Sequence, residues 1–192
     1  QEVSVIGTMN TVDKSLAPID FAMRRRFRFE YVGADPDLLT DIAGVSLPQF
    51  LRTVNARLGA LLGTGYEIGH AFFLPRKLEE VSTRMEWSGQ ADASLRSLAY
   101  VIRSSVLPTV VEYFHEDWSK IRAVLGDTVV AGRRDSLLDL PDADDAFFER
   151  LPEDYVRVDG RVAYYARWWN PEDPTWDSAR FNGFIAAIAS GA

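Results

Sequence analysis

The chain has 192 residues, 47% of them hydrophobic, with 21 Lys and Arg against 28 Asp and Glu and a formal net charge of -7. That apolar content excludes disorder as the main state, and the acidic balance argues against a protein that coats nucleic acid, though not against a local basic patch. With no cysteine, disulfide scaffolds, thiolate zinc sites and cysteine nucleophiles are excluded as well.

No apolar run approaches the ~20 residues needed to cross a bilayer, and no signal-peptide pattern opens the chain, so a cytoplasmic location without membrane contact is expected. Gln1 stands at the start of a strand-like run, which reads as a segment of a longer protein.

Val3, Val5 and Ile6 form a β-branched run closed by Gly7, the pattern of a buried parallel strand. Ser15 is a candidate cap for a helix from near Leu16 to near Arg25, with Pro18 in its first turn, where a missing N–H costs nothing. The alternation of Phe27 to Val32 predicts a second strand, so the opening has the β-α-β order of an α/β sheet.

From Asp35 the pattern turns helical. Leu51, Val54, Leu58, Leu61 and Leu62 fall at helical spacing between Ser46 and Gly63, and Leu95, Leu98, Ile102 and Val106 form a second stripe. Pro108 should bend or restart that helix before it continues through Val111 and Phe114. "WSKIRAVLG" predicts a further helix stopped at Gly126. An acidic stretch from Asp135 to Asp154 follows. Asp159-Gly160 then sits between two alternating runs as a hairpin signal, and a closing helix has Ser178 as its early cap.

Thr8, Asn10, Thr11 and Asp13 follow the first expected strand, where α/β sheets place their ligands. An Asn there can hold an attacking water by donating and accepting at once; the same groups can equally satisfy local backbone. Arg24, Arg25 and Arg26 are consecutive and, at ~100° per helical residue, cannot all grip one phosphate. They suit either a charged partner or the negative end of a helix macrodipole.

Together, "VIGTMNTVDKSLAPIDFAMRRRFRF", "GYEIGHAFFL" (Gly65 to Leu74) and "VLPTVVEYFHEDWSKIRAVLGD" (Val106 to Asp127) resemble McrB-type AAA+ NTPases, the motor subunits of modification-dependent restriction systems. The resemblance covers residues 1 to 127. It implies an α/β remnant of an AAA+ nucleotide-binding sheet over 1–34 and a mostly α-helical lid over 35–127. Residues 128–192 lie outside it and read as a small α+β C-terminal extension with a hairpin and closing helix.

By that resemblance Asn10 matches the sensor-1 Asn that reads the γ-phosphate, and Asp13 the acid of the signature loop. Lys14 stands where the family usually has Arg, keeping the charge but losing the bidentate fork. Arg25 and Arg26, with Arg24 a weaker candidate, match fingers that act on a neighbouring subunit's nucleotide. Gly69 and His70 match the lid segment that can approach the nucleotide, although a histidine satisfied within the lid is an equal reading, and His115 reads as structural. The implied cofactors are Mg²⁺ with GTP or ATP, and the implied partners a hexamer-like homo-oligomeric ring, a nuclease subunit, and DNA reached through other domains. Protein remodelling by a similar AAA+ ATPase and a non-catalytic assembly module are the alternatives.

A phosphate-cradling loop needs G-x-x-x-x-G-K-[ST], and the sequence holds no Gly-Lys pair. No apolar strand ends in paired acids either, so these parts are expected upstream of Gln1 and the segment alone is not expected to hydrolyse nucleotide. Tyr164, Tyr165, Trp168, Trp169 and Trp176 form a dense aromatic group; base stacking is conceivable, but amid acidic residues the commoner use is core.

Overall fold

The computed structural model describes residues 3–9, 22, 25–63, 65–115, 117–126, 138–139, 164–165 and 169–191. Helix α1 (Leu47–Leu62) begins after Ser46, carries Pro in its first turn and ends at Gly63, whose φ of 88° suits glycine. Its buried stripe is Leu47, Phe50, Leu51, Val54 and Leu58, while Leu61 is 46% exposed and leaves the expected core. A 3-10 turn, His70–Phe73, leads into α2 (Pro75–Arg84).

Helix α3 (Ala93–Val101) runs without interruption through a π-helical turn, Ile102–Val106, into α4 (Leu107–Phe114). Pro108 explains the widening, because its ring crowds the carbonyl four residues back and it offers no N–H. The helix opens to an i→i+5 pattern instead of breaking, and the Leu107 N–H reaches back to the Ile102 carbonyl. All four residues of the second expected stripe, Leu95, Leu98, Ile102 and Val106, are buried. His115 closes α4 in the left-handed region at φ 49°, a structural position.

Asp117 caps α5 (Trp118–Val124) by accepting the Lys120 N–H. The last helix, α6 (Ser178–Ala189), is capped by Asp177 accepting from the Arg180 N–H, one residue ahead of the expected Ser178. Phe181, Phe184, Ile185 and Ile188 on α6 are buried, and the helix packs against α1 and α3. It thereby closes the bundle in which α2 packs on α3, and α5 on α1 and α4.

Two short strands, β1 (Leu138–Asp139) and β2 (Tyr164–Tyr165), pair antiparallel with Leu138 opposite Tyr165. The expected hairpin at Asp159-Gly160 lies outside the described residues. Among the described residues, 3–9 and 28–35 have no regular secondary structure and carry no strand pairing. Val3 (85%), Ile6 (94%) and Val32 (90%) are exposed, so the expected sheet remnant over 1–34 is not seen there. A strand is marginal without neighbours to complete its ladder and cover its faces.

Trp169 is fully buried and stacks on Phe181 with centroids 6.5 Å apart, under the Arg103 guanidinium at 5.0 Å. At this residue the aromatic group serves as core.

Candidate functional site

Of the residues singled out from the sequence, Asn10, Asp13, Lys14 and Arg24 lie outside the described residues. Arg25 and Arg26 occupy an exposed turn, and among the described residues neither has an ion-pair partner. The next arginine, Arg28, pairs with Glu30 at 2.7 Å on the surface.

The loop carrying Gly69 and His70 is fixed from two sides. Irregular backbone must find partners for its polar groups, and Asn55 of α1 supplies both at Ile68. The Asn55 Nδ2–H donates to the Ile68 carbonyl at 3.0 Å, and Asn55 Oδ1 accepts the Ile68 N–H at 2.8 Å. The Ile68 side chain is itself buried, which anchors the loop to the helical core.

On the other side the loop grips the segment that leads away from the arginine turn. Glu67 Oε2 accepts from the Tyr31 hydroxyl at 3.1 Å and from the Ala34 N–H at 3.0 Å. His70 Nδ1 accepts the Asp35 N–H at 2.9 Å. A Cβ on Gly33 would lie 2.8 Å from the Tyr31 ring and 3.1 Å from Glu67 Oε2, so glycine lets the two segments close on each other. Asp35 then caps a 3-10 turn, Pro36–Leu38, by accepting the Asp37 N–H, and Asp37 pairs with Arg52 of α1.

This geometry fixes what His70 can do. With Nδ1 occupied as an acceptor, a neutral imidazole carries its proton on Nε2 and offers that N–H as a donor. Gly69, at φ −69° and ψ 142°, has a backbone any residue can adopt, and a Cβ there would meet nothing within 4 Å. The fold does not demand this glycine, which leaves open space beside His70. A metal ion is not matched: among the described residues no cluster of three His, Cys, Asp or Glu could hold one.

Sequence reading missed three residues that build this site. Tyr31 falls in the alternating run that predicts a strand, Glu67 lies within the Gly65 to Leu74 segment without a signal of its own, and Asn55 sits on an amphipathic helix with no signal beyond its polarity.

The described helices form a bundle with a loop that clasps the preceding segment. Residues 46–122 match the family model described as "McrB, alpha-helical lid domain", from the residue before α1 into α5. The chain is also 27% identical over 133 residues to the "Type IV methyl-directed restriction enzyme EcoKMcrB subunit" of Escherichia coli strain K12, a match covering 61% of this chain and 26% of that relative. Residues 46–122 are thus similar to the McrB lid family, in line with the McrB-type AAA+ resemblance read from the sequence. The chain spans about a quarter of the length of the curated relative it matches. Helix α6, part of the same core here, lies outside the matched lid residues.

Proposed function

We propose that this chain is the sensor-1-to-lid portion of an AAA+ motor that hydrolyses GTP or ATP to power DNA restriction with a nuclease partner. The observation that carries the reading is the McrB lid match over 46–122, reinforced by the similarity to a methyl-directed restriction enzyme subunit. On this reading the opening segment joins a nucleotide-binding sheet completed by residues outside the sequence. Those residues also supply the phosphate cradle and the Mg²⁺ ligands, neither of which the described residues provide.

The chain's own residues then divide the work. Asn10 orients water at the γ-phosphate and Asp13 shapes that pocket. His70 presents Nε2–H to a phosphate oxygen, with Gly69 leaving room for the approach. Arg25 and Arg26 reach a neighbouring subunit's nucleotide in a homo-oligomeric ring, where a cation that meets developing charge can be worth ~10³–10⁵ in rate.

In the full-length protein, Arg25→Ala and Arg26→Ala should abolish GTP and ATP turnover while leaving nucleotide binding nearly unchanged. Full turnover in both variants would remove the finger assignment. A cleavage assay on methylated and unmethylated DNA with the nuclease subunit separates restriction from protein remodelling. Loss of neither nucleotide turnover nor DNA cleavage on deleting this region would instead favour a non-catalytic assembly module.

A further inference from the structure

The lid loop holds one end of the segment that carries the arginine turn. We infer that Glu67 and His70 are positioning residues that couple lid position to Arg25 and Arg26, an inference that rests on the motor reading above. Three hydrogen bonds, from Tyr31, Ala34 and Asp35, cross from that segment to these two side chains. The receiving loop is itself clamped to α1 through Asn55, and the segment continues into the Asp37–Arg52 ion pair on the same helix. The tie is therefore to the lid as a body and not to a loose loop.

Only four residues lie between Arg26 and Tyr31, a span of five residue steps. At ~3.4 Å per residue this reach is at most about 17 Å, so a lid movement that exceeds the slack in this stretch must move or strain the arginine turn. Phe27, Phe29 and Tyr31 along this stretch are exposed among the described residues, and the three hydrogen bonds tie its far end to the lid loop. A nucleotide that draws His70 through Nε2 would pull on the same residue whose Nδ1 holds Asp35. One imidazole thus connects the subunit's own nucleotide to the arginines meant for its neighbour. Glu67, whose carboxylate takes two donors at once, is the stronger half of the tie.

The test uses the full-length protein with Glu67→Ala and Glu67→Gln, measuring nucleotide Kd, turnover and thermal unfolding together. The amide oxygen of Gln can still accept from Tyr31 and Ala34, so it serves as the conservative rescue. Misplacing a catalytic group by ~1 Å can cost ~10²-fold. Glu67→Ala should therefore lower kcat at least tenfold with Kd within about twofold of wild type, and Glu67→Gln should restore most of the loss. Spin labels on Arg28→Cys and Lys77→Cys, in an otherwise cysteine-free background, should give a narrow distance distribution that Glu67→Ala broadens and Glu67→Gln does not.

Wild-type turnover with an undiminished Glu67→Ala rate, or an unchanged label distribution, overturns the coupling and leaves the motor reading intact. Equal loss of kcat, Kd and melting temperature makes Glu67 merely structural and also overturns it. No nucleotide turnover by the wild-type protein sinks the motor reading, and the coupling falls with it.

Discussion

The Trp176 indole N–H donates to Asp92 Oδ2 at 2.7 Å, joining the approach to α6 to the first turn of α3 across 84 residues. Arg96 completes the joint. Its Nε donates to both Asp92 oxygens at 3.0 and 3.1 Å, its guanidinium lies between Trp87 and Trp176 at 6.0 and 5.6 Å, and it donates to the Pro171 carbonyl. Such part-buried, charge-assisted contacts are worth more than surface ion pairs. They explain how a segment outside the matched lid residues becomes part of the lid core.

Trp176→Phe keeps most of the ring but removes the donor, leaving one Asp92 oxygen with a partner fewer. The expected cost is about 1–3 kcal/mol. Amide hydrogen exchange should show it locally, with the α6 amides losing protection while those of α1 keep theirs. Equal loss of protection in both helices would mean that α6 docks without help from this joint.

The same joint predicts an acid response. Burial works to raise the Asp92 carboxyl, but the hydrogen bonds from Trp176 and Arg96 and the Arg96 charge outweigh it and hold the group below the usual carboxylate range. A depressed folded value contributes stability that is whole above the unfolded pKa of about 3.9 and is lost as pH falls through the folded value. Asp117 behaves alike: hydrogen bonds from Lys120 and Ser119 lower it to about 2. Lowering the pH below about 4 should therefore loosen the 169–191 segment and the start of α5. The Trp176 indole N–H resonance reports the first, and Asp92→Asn should remove its pH dependence. An indole signal unchanged down to pH 2 would contradict the assignment.

Asn55 gives a sharper test of the lid loop. Asn55→Ala strands the Ile68 N–H and carbonyl together, at about 1–3 kcal/mol for each group left unpaired and buried. Asn55→Asp should be informative in a different way, since its carboxylate accepts the N–H yet faces the Ile68 carbonyl with a lone pair. Stability of the Asp variant relative to wild type should improve on acidification, when the protonated acid regains a donor. Denaturant unfolding at two pH values measures it, and an Asp variant that is no better in acid would argue against the two-sided clamp.

The helices were legible because burial on a helix repeats every turn. Leu51, Val54 and Leu58, and the run from Leu95 to Val106, mark their own core face, and Gly63 and Gly126 mark helix ends through φ values that disfavour other residues. Leu61 matched the period yet is exposed, while its neighbour Leu62 is the one that packs against the core. What the sequence could not display was pairing between distant polar groups. Trp176 with Asp92, Asn55 with Ile68 and Glu67 with Tyr31 each depend on how helices dock, and no periodicity encodes a single hydrogen bond. The pairing of 138–139 with 164–165 was hidden for the same reason.

Gly126 closes α5 where backbone conformation and packing both require glycine. Its φ is 73°, and a Cβ would lie 2.8 Å from Arg57 Nη1 and 3.0 Å from Ile188 Cγ1 of α6. Arg57 cannot yield freely, since Nη1 donates to the Val124 carbonyl at 3.2 Å and burial lowers its pKa from the usual arginine range. Gly126→Ala should cost about 1–2 kcal/mol for the left-handed backbone and more for displacing Arg57. Gly126→Asn separates the two effects, because Asn tolerates positive φ but still brings a Cβ. If conformation dominates, Asn should recover most of the loss; if packing dominates, Asn should be at least as harmful as Ala. Urea midpoints at unchanged m-value decide between them, and a wild-type midpoint for Gly126→Ala would show that α5 does not end against α6 in this way.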